Sequence, residues 1–172
     1  GYVKNSLGAA GVSGPIESTP WTRNPTLENT QNAVNALKAQ ILLAYRRDPQ
    51  QSINIAAHSW GGVIAYIALS ELQQEAPNIK IDNFVTMGSP IQRLSEKTSE
   101  IKSSTAMTTP AVASGPGFIS HNVQARVPEK YRGEAIQRLG NVSEWRNYWA
   151  ETDILSSKVG TATVNREVPK VE

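Results

Sequence analysis

The stretch that most constrains the fold is residues 52–72, in which two apolar runs are separated by a short connection that contains a serine and two glycines. The first run, Ile53–Ala57, has the length and composition of a buried strand, and the second, Val63–Leu72, is typical of a buried helix. The connection between them reads His58-Ser59-Trp60-Gly61-Gly62. A strand and a helix joined so tightly must pass close to each other, which small residues permit. The sequence therefore predicts a sharp strand-to-helix turn at Ser59.

Ser59 is the candidate nucleophile of this turn. A serine in such a bend has a protruding hydroxyl, and the first amides of the following helix, those of Trp60 and Gly61, point toward the same space. Backbone N–H groups placed in this way can stabilise a developing oxyanion. The alternative is an ordinary turn in which the Ser59 hydroxyl caps the helix.

The turn resembles the nucleophile elbow of the α/β-hydrolase superfamily, and within it the lipase and esterase branch, whose pattern is Gly-x-Ser-x-Gly. Here the pattern reads Ala57-His58-Ser59-Trp60-Gly61, with alanine in place of the first glycine. A second point of resemblance is Val85-Thr86-Met87-Gly88-Ser89-Pro90, at the end of the next predicted strand. The resemblance implies a serine hydrolase that cleaves a carboxylic ester through an acyl-enzyme on Ser59. It also implies an oxyanion contact from the Trp60 amide, a small-molecule ester or lipid substrate, and no cofactor.

The order of elements predicts an α/β fold, with a parallel sheet that carries helices on both faces. Apolar residues recur at helical spacing over 26–47, which predicts an amphipathic helix before the first strand. Further strands are expected at 79–87 and 142–149. We expect one domain in the 172 residues, interrupted at about 91–140 by an insertion that is either a lid or a surface excursion. A short helix is expected within it, at 131–139.

The acid and the base of a catalytic triad are less clear from the sequence. The resemblance assigns the acid to Asp153, just beyond the strand at 142–149, with Glu151 as the alternative. In this superfamily the base is a histidine that follows the acid, and no histidine follows Asp153. His58 matches the family's common Gly-His-Ser residue, which is not the base. His121 is the remaining candidate, but its use would require the order Ser, His, Asp, which this family seldom shows. The catalytic histidine is therefore not identified.

The resemblance covers residues 24–90 and 142–156, while the family's early strands and its C-terminal histidine segment are not found. We therefore expect an incomplete hydrolase-like domain. If the triad is naturally incomplete, the protein would instead bind a lipid or acyl ligand or act as a scaffold. Acyl transfer to an alcohol other than water would use the same residues.

Composition argues against several other classes of protein. Lys and Arg number 17 against 15 Asp and Glu, and no basic patch is visible, so a nucleic-acid partner is not expected. The chain has no cysteine and only two histidines, so neither a disulfide nor a multi-histidine metal site is expected. No apolar run has the length of a membrane span, and the first residues lack a signal-peptide pattern. Compartment and oligomeric state are not indicated.

Overall fold

Four parallel strands form one sheet in the part of the chain that the computed structural model describes, namely residue 9 and residues 14–98 and 116–169. The strands are β1 (Asn54–His58), β2 (Ile81–Met87), β3 (Val142–Trp149) and β4 (Val164–Glu167). Each strand pairs with the next one along the chain. Because all four run in the same direction, their carboxyl ends meet at one edge of the sheet.

Three α-helices accompany the sheet in these residues: α1 (Leu27–Arg47), α2 (Trp60–Glu75) and α3 (Pro116–Gln124). The helix α1 begins after Thr26, whose hydroxyl accepts a hydrogen bond of 3.1 Å from the Asn29 amide. Between β2 and β3, the described residues also contain the short 3-10 helices Ile91–Ser95 and Glu129–Tyr131.

The helix α2 is the centre of the hydrophobic core. It is apolar on nearly every side, and it packs against both α1 and β1. Tyr66 of α2 stacks on Trp145 of β3 with ring centroids 6.0 Å apart, and Trp145 also packs on Phe84 of β2. These contacts fix α2 over one face of the sheet, so the position of its N-terminus above the end of β1 is well defined.

The predicted α/β class with an all-parallel sheet is confirmed, and so are the predicted helix at 26–47 and the strands at 79–87 and 142–149. The strand β4 was not predicted from the sequence. The short helix expected at 131–139 is wrong, because residues 132–139 have no regular secondary structure and the segment bonds to α2 instead. Its backbone amides bind side chains there: Gln137 N donates to the Tyr66 hydroxyl (3.0 Å), and the neighbouring Gly140 N donates to Gln73 Oε1 (3.1 Å).

Candidate active site

Ser59 occupies a sharp bend between β1 and α2. Its backbone has φ 52° and ψ −127°, and among the described residues it is the one non-glycine residue with a positive φ. Such a conformation costs on the order of 1–3 kcal/mol and persists only where the surroundings enforce it. One enforcing contact is the Ser59 amide, which donates a 2.9 Å hydrogen bond to the Met87 carbonyl of β2. The turn predicted from the sequence is therefore present, and it is strained.

The Ser59 hydroxyl is not used to hold the helix. The side chain makes no capping hydrogen bond to α2, and the residue is half-buried. This differs from the capping alternative, in which the oxygen would accept a bond from a first-turn amide. The hydroxyl is consequently left to contact other groups at the carboxyl edge of the sheet.

The first turn of α2 supplies backbone donors beside this hydroxyl. The first amides of a helix have no intrahelical acceptor, and they carry the positive end of the helix dipole. The Gly62 amide donates to the Ser59 carbonyl at 3.0 Å, so the amides of Trp60 and Gly61 are the ones left to bind an anion. These are the groups that an oxyanion at Ser59 would need.

The Trp60 side chain is a packing element. Its indole Nε1 donates a buried 3.0 Å hydrogen bond to Thr30 Oγ1 of α1. The indole therefore links the start of α2 to the neighbouring helix.

Two glycines permit the close approach of the elbow and the end of β2. A Cβ on Gly62 would lie 2.2 Å from Ser89 Oγ and 2.7 Å from Ser89 Cβ, so only glycine fits without a shift. Gly88, at the end of β2, has φ +56°, a conformation that favours glycine. The segment Gly88-Ser89-Pro90 that the sequence singled out therefore packs directly against the elbow.

Asp153 lies in the loop after β3 with its carboxylate turned toward the end of β2. Its Oδ1 accepts from the Leu155 amide (2.9 Å), and its Oδ2 accepts from the Ser156 hydroxyl (2.7 Å). The same Oδ2 lies 3.4 Å from the place where a Cβ on Gly88 would stand, and Nε2 of His58 lies 3.8 Å from that place. Asp153 and His58 thus both lie close to Gly88, which the sequence did not predict.

The other two sequence candidates lie elsewhere. His121 is on α3, which packs against the 3-10 helix Ile91–Ser95. No hydrogen bond joins His121 to Ser59 or Asp153 within residues 14–98 and 116–169. Glu151 is exposed in the turn after β3. The carboxyl edge therefore collects Ser59 after β1, Gly88 after β2 and Asp153 after β3, where open parallel sheets bind their ligands.

Comparison with known families is consistent with this arrangement. Residues 22–105, a little under half of the chain, match the family of the PGAP1-like alpha/beta domain. The chain has an α/β-hydrolase-like fold. The matched stretch of this hydrolase-like domain contains α1, the elbow and the Gly-Ser-Pro segment. Searches of curated proteins and of solved structures gave no match.

Two further properties of the hydrolase-like domain bear on its partners. None of the helices in the described residues is long and apolar enough to span a bilayer. Over the same residues, no three side chains of His, Asp or Glu gather as ligands for a metal ion.

Proposed function

We propose that the protein is a serine hydrolase of lipase or esterase type, which cleaves a carboxylic ester of a small molecule or lipid through an acyl-enzyme on Ser59. The observation that carries this proposal is the strained backbone of Ser59 combined with a hydroxyl that does not cap its helix. Strain of this kind is maintained at sites where a side chain must be held in one direction. The hydrolase-like fold supports the same proposal.

The chemistry assigns one task to each group. Ser59 Oγ attacks the ester carbonyl carbon and gives its proton to a base, and the amide of Trp60 binds the oxyanion of the tetrahedral intermediate. The base then protonates the leaving alcohol. Water, deprotonated by the same base, attacks the acyl carbon; the bond from this carbon to Ser59 Oγ breaks, the base returns its proton to Oγ, and the carboxylic acid is released. Asp153 orients the histidine that acts as base.

The proposal also needs a histidine that acts as the base. His121 is the candidate that the sequence offers, on a helix within the segment 91–140, which we propose acts as a lid over the carboxyl edge. For His121 to act, α3 must bring its imidazole to Asp153 when substrate binds, since catalytic hydrogen bonds often tighten only in the substrate complex.

A serine-directed fluorophosphonate tests the proposal. We expect covalent labelling of the peptide that contains Ser59, detected by mass spectrometry, and no labelling in Ser59→Ala. Ser70→Ala is a matched control, because this serine lies on the same helix and its hydroxyl is buried and donates to the Tyr66 carbonyl (2.8 Å). Labelling should persist in the control. A folded protein that hydrolyses no p-nitrophenyl ester and reacts at no serine would refute the proposal.

One observation favours a second candidate, a hydrolase-like protein that binds an acyl ligand or acts as a scaffold without turnover. Neither histidine is hydrogen-bonded to Asp153 or to Ser59 in the described residues, so a base is not in place. On this alternative a fluorescent fatty acid would bind the wild type and Ser59→Ala equally, and neither would hydrolyse an ester. The two candidates thus give opposite results in the same pair of proteins.

A further inference from the structure

A line of buried polar side chains crosses the sheet beneath the carboxyl edge. Asn147 of β3, only 1% exposed, is at its centre. Its Oδ1 accepts from the Thr86 hydroxyl of β2 (2.9 Å), and its Nδ2 donates to the Ser157 carbonyl and to Asn165 Oδ1 of β4 (3.0 Å each). Both amide hydrogens and the amide oxygen are therefore used, so the orientation of the side chain is fixed.

On the β2 side, this network reaches the underside of the elbow. Thr86 Oγ1 also accepts from the indole Nε1 of Trp145 (3.1 Å). The Thr86 methyl group lies 3.5 Å from the place where a Cβ on Gly62 would stand, next to the first turn of α2. The network therefore starts on residues that pack directly against the turn carrying Ser59.

On the other side, the network ends on the chain that follows Asp153. Asn165 Oδ1 accepts from the Val159 amide (2.9 Å), and Asn165 Nδ2 donates to the Val159 carbonyl (2.8 Å). Together with the bond from Asn147 to the Ser157 carbonyl, these contacts fix the backbone of residues 157–159. The end of the Asp153 loop is thereby attached to β3 and β4.

Val159 is fully buried in the core, whereas the part of the loop next to Asp153 is held less firmly. Ile154 and Leu155, next to Asp153, are 66% and 40% exposed, so they bury little apolar surface. The bonds of the Asp153 carboxylate to Leu155 and Ser156 are internal to the loop. A second side chain from outside the loop, Arg93, donates from Nη2 to the Ile154 carbonyl at 2.6 Å. Arg93 and Asn147 therefore supply side-chain hydrogen bonds that attach the loop on either side of Leu155 to the rest of the domain.

We infer that Asn147 is a positioning residue for Asp153, because it anchors the loop that presents this carboxylate to the elbow. The inference rests on the proposed function in so far as Asp153 is the acid. An apolar side chain at 147 would leave the Ser157 carbonyl without this donor and the Thr86 O–H without its acceptor, and the loop would lose this attachment to β3. Asn147 itself does not contact the reacting atoms.

Hydrogen exchange of Asn147→Ala tests the anchoring. The matched control is Asn141→Ala: Asn141 is also buried, but its Nδ2 bonds to the Leu69 carbonyl (3.0 Å) next to the amino end of β3. Both variants should lose thermal stability, whereas amide exchange of residues 153–159 should rise about tenfold only in Asn147→Ala. Equal exchange in the two variants would overturn the inference. If Asn147→Ala does not fold, Asn165→Ala at a half-buried position should show the same local rise.

Kinetics decide whether this anchoring serves catalysis. We expect the rate of fluorophosphonate inactivation at saturation, and kcat for an ester, to fall by about tenfold to a hundredfold in Asn147→Ala with KM unchanged, and not in Asn141→Ala. Faster exchange with an unchanged kcat would overturn the positioning role and leave the proposed function standing. A wild type that is unreactive at Ser59 would overturn both. A fall in kcat shared by both variants would reduce Asn147 to a purely structural residue.

Discussion

Ser59 has a backbone conformation that glycine adopts freely and serine does not, with φ 52° and ψ −127°. We therefore expect Ser59→Gly to unfold at a higher temperature than Ser59→Ala, which keeps the Cβ and the strain. The free energy of unfolding of Ser59→Gly should be higher by about 1 kcal/mol, because the relief of backbone strain outweighs the cost of the greater unfolded-state entropy of glycine. Thermal denaturation of the two variants measures this difference. Equal stability would mean that the bend is not strained.

Two adjacent glycines of the elbow are predicted to respond in opposite ways to the same substitution. Gly62→Ala should destabilise the protein by about 1–3 kcal/mol, because the new methyl group would overlap Ser89. Gly61→Ala should be tolerated, since its Cβ would meet only Ala57 Cβ, at 4.0 Å. Urea unfolding of both variants compares them. Adding Ser89→Gly to Gly62→Ala should recover part of the loss, and failure of this rescue would place the clash elsewhere.

Among the structural elements, those with a long periodic pattern were predictable. The apolar positions of α1 and the continuous apolar run of α2 give distinct signals, and both helices begin within a residue or two of where the pattern predicts. The four-residue strand β4, Val-Asn-Arg-Glu, is too short and too polar for such a signal. The segment 131–139 misled the prediction because its backbone bonds to α2, a long-range interaction that local sequence does not show.

One buried hydrogen bond between α1 and α2, from Trp60 Nε1 to Thr30 Oγ1, is predicted to contribute measurably to stability. Thr30→Val keeps the shape but removes the acceptor, so the indole N–H would be left buried without a partner. We expect a loss of about 1–3 kcal/mol in the free energy of unfolding. In Trp60→Phe the donor is absent, and a further Thr30→Val should then cost much less. Additive costs in this double-mutant cycle would show that the hydrogen bond contributes nothing.

For the whole molecule, the sequence predicted the location of the candidate site better than the contacts between its residues. The motif located Ser59, and the parallel order of strands implied that Asp153 would lie at the same edge of the sheet. The approach of Asp153 and His58 to Gly88 depends on the register of three strands and on a loop conformation. The same is true of the bonds made by Asn147, whose partners are up to 61 positions away in the chain. Local patterns contain no information about such pairs.

The domain is also joined by an ion-pair cluster that links α1, α2 and the 3-10 helix Glu129–Tyr131. Glu71 of α2, with its side chain only 11% exposed, binds Lys38 at 2.9 Å and Lys130 at 3.1 Å. Burial alone would raise the pKa of the Glu71 carboxyl, but the hydrogen bonds and charges of the two lysines outweigh this effect and lower the pKa below its ordinary value of 4.5. Because the folded state lowers this pKa, the carboxylate contributes stability above about pH 4.5 that is lost as the pH falls through the folded-state value.

We therefore expect the free energy of unfolding of the wild type to decrease as the pH is lowered from about 5 to 3, and Glu71→Gln to flatten this decrease. At neutral pH the variant should already be less stable, since Lys38 and Lys130 lose their shared partner. Glu75→Gln is the matched control: it contacts the same Lys38 at 2.8 Å, but its side chain is 54% exposed and solvent screens the pair. Urea titrations of the wild type and the two variants at a series of pH values measure these free energies of unfolding. A wild-type slope that Glu71→Gln leaves unchanged would mean that other carboxylates control acid unfolding and that the cluster does not join the three elements.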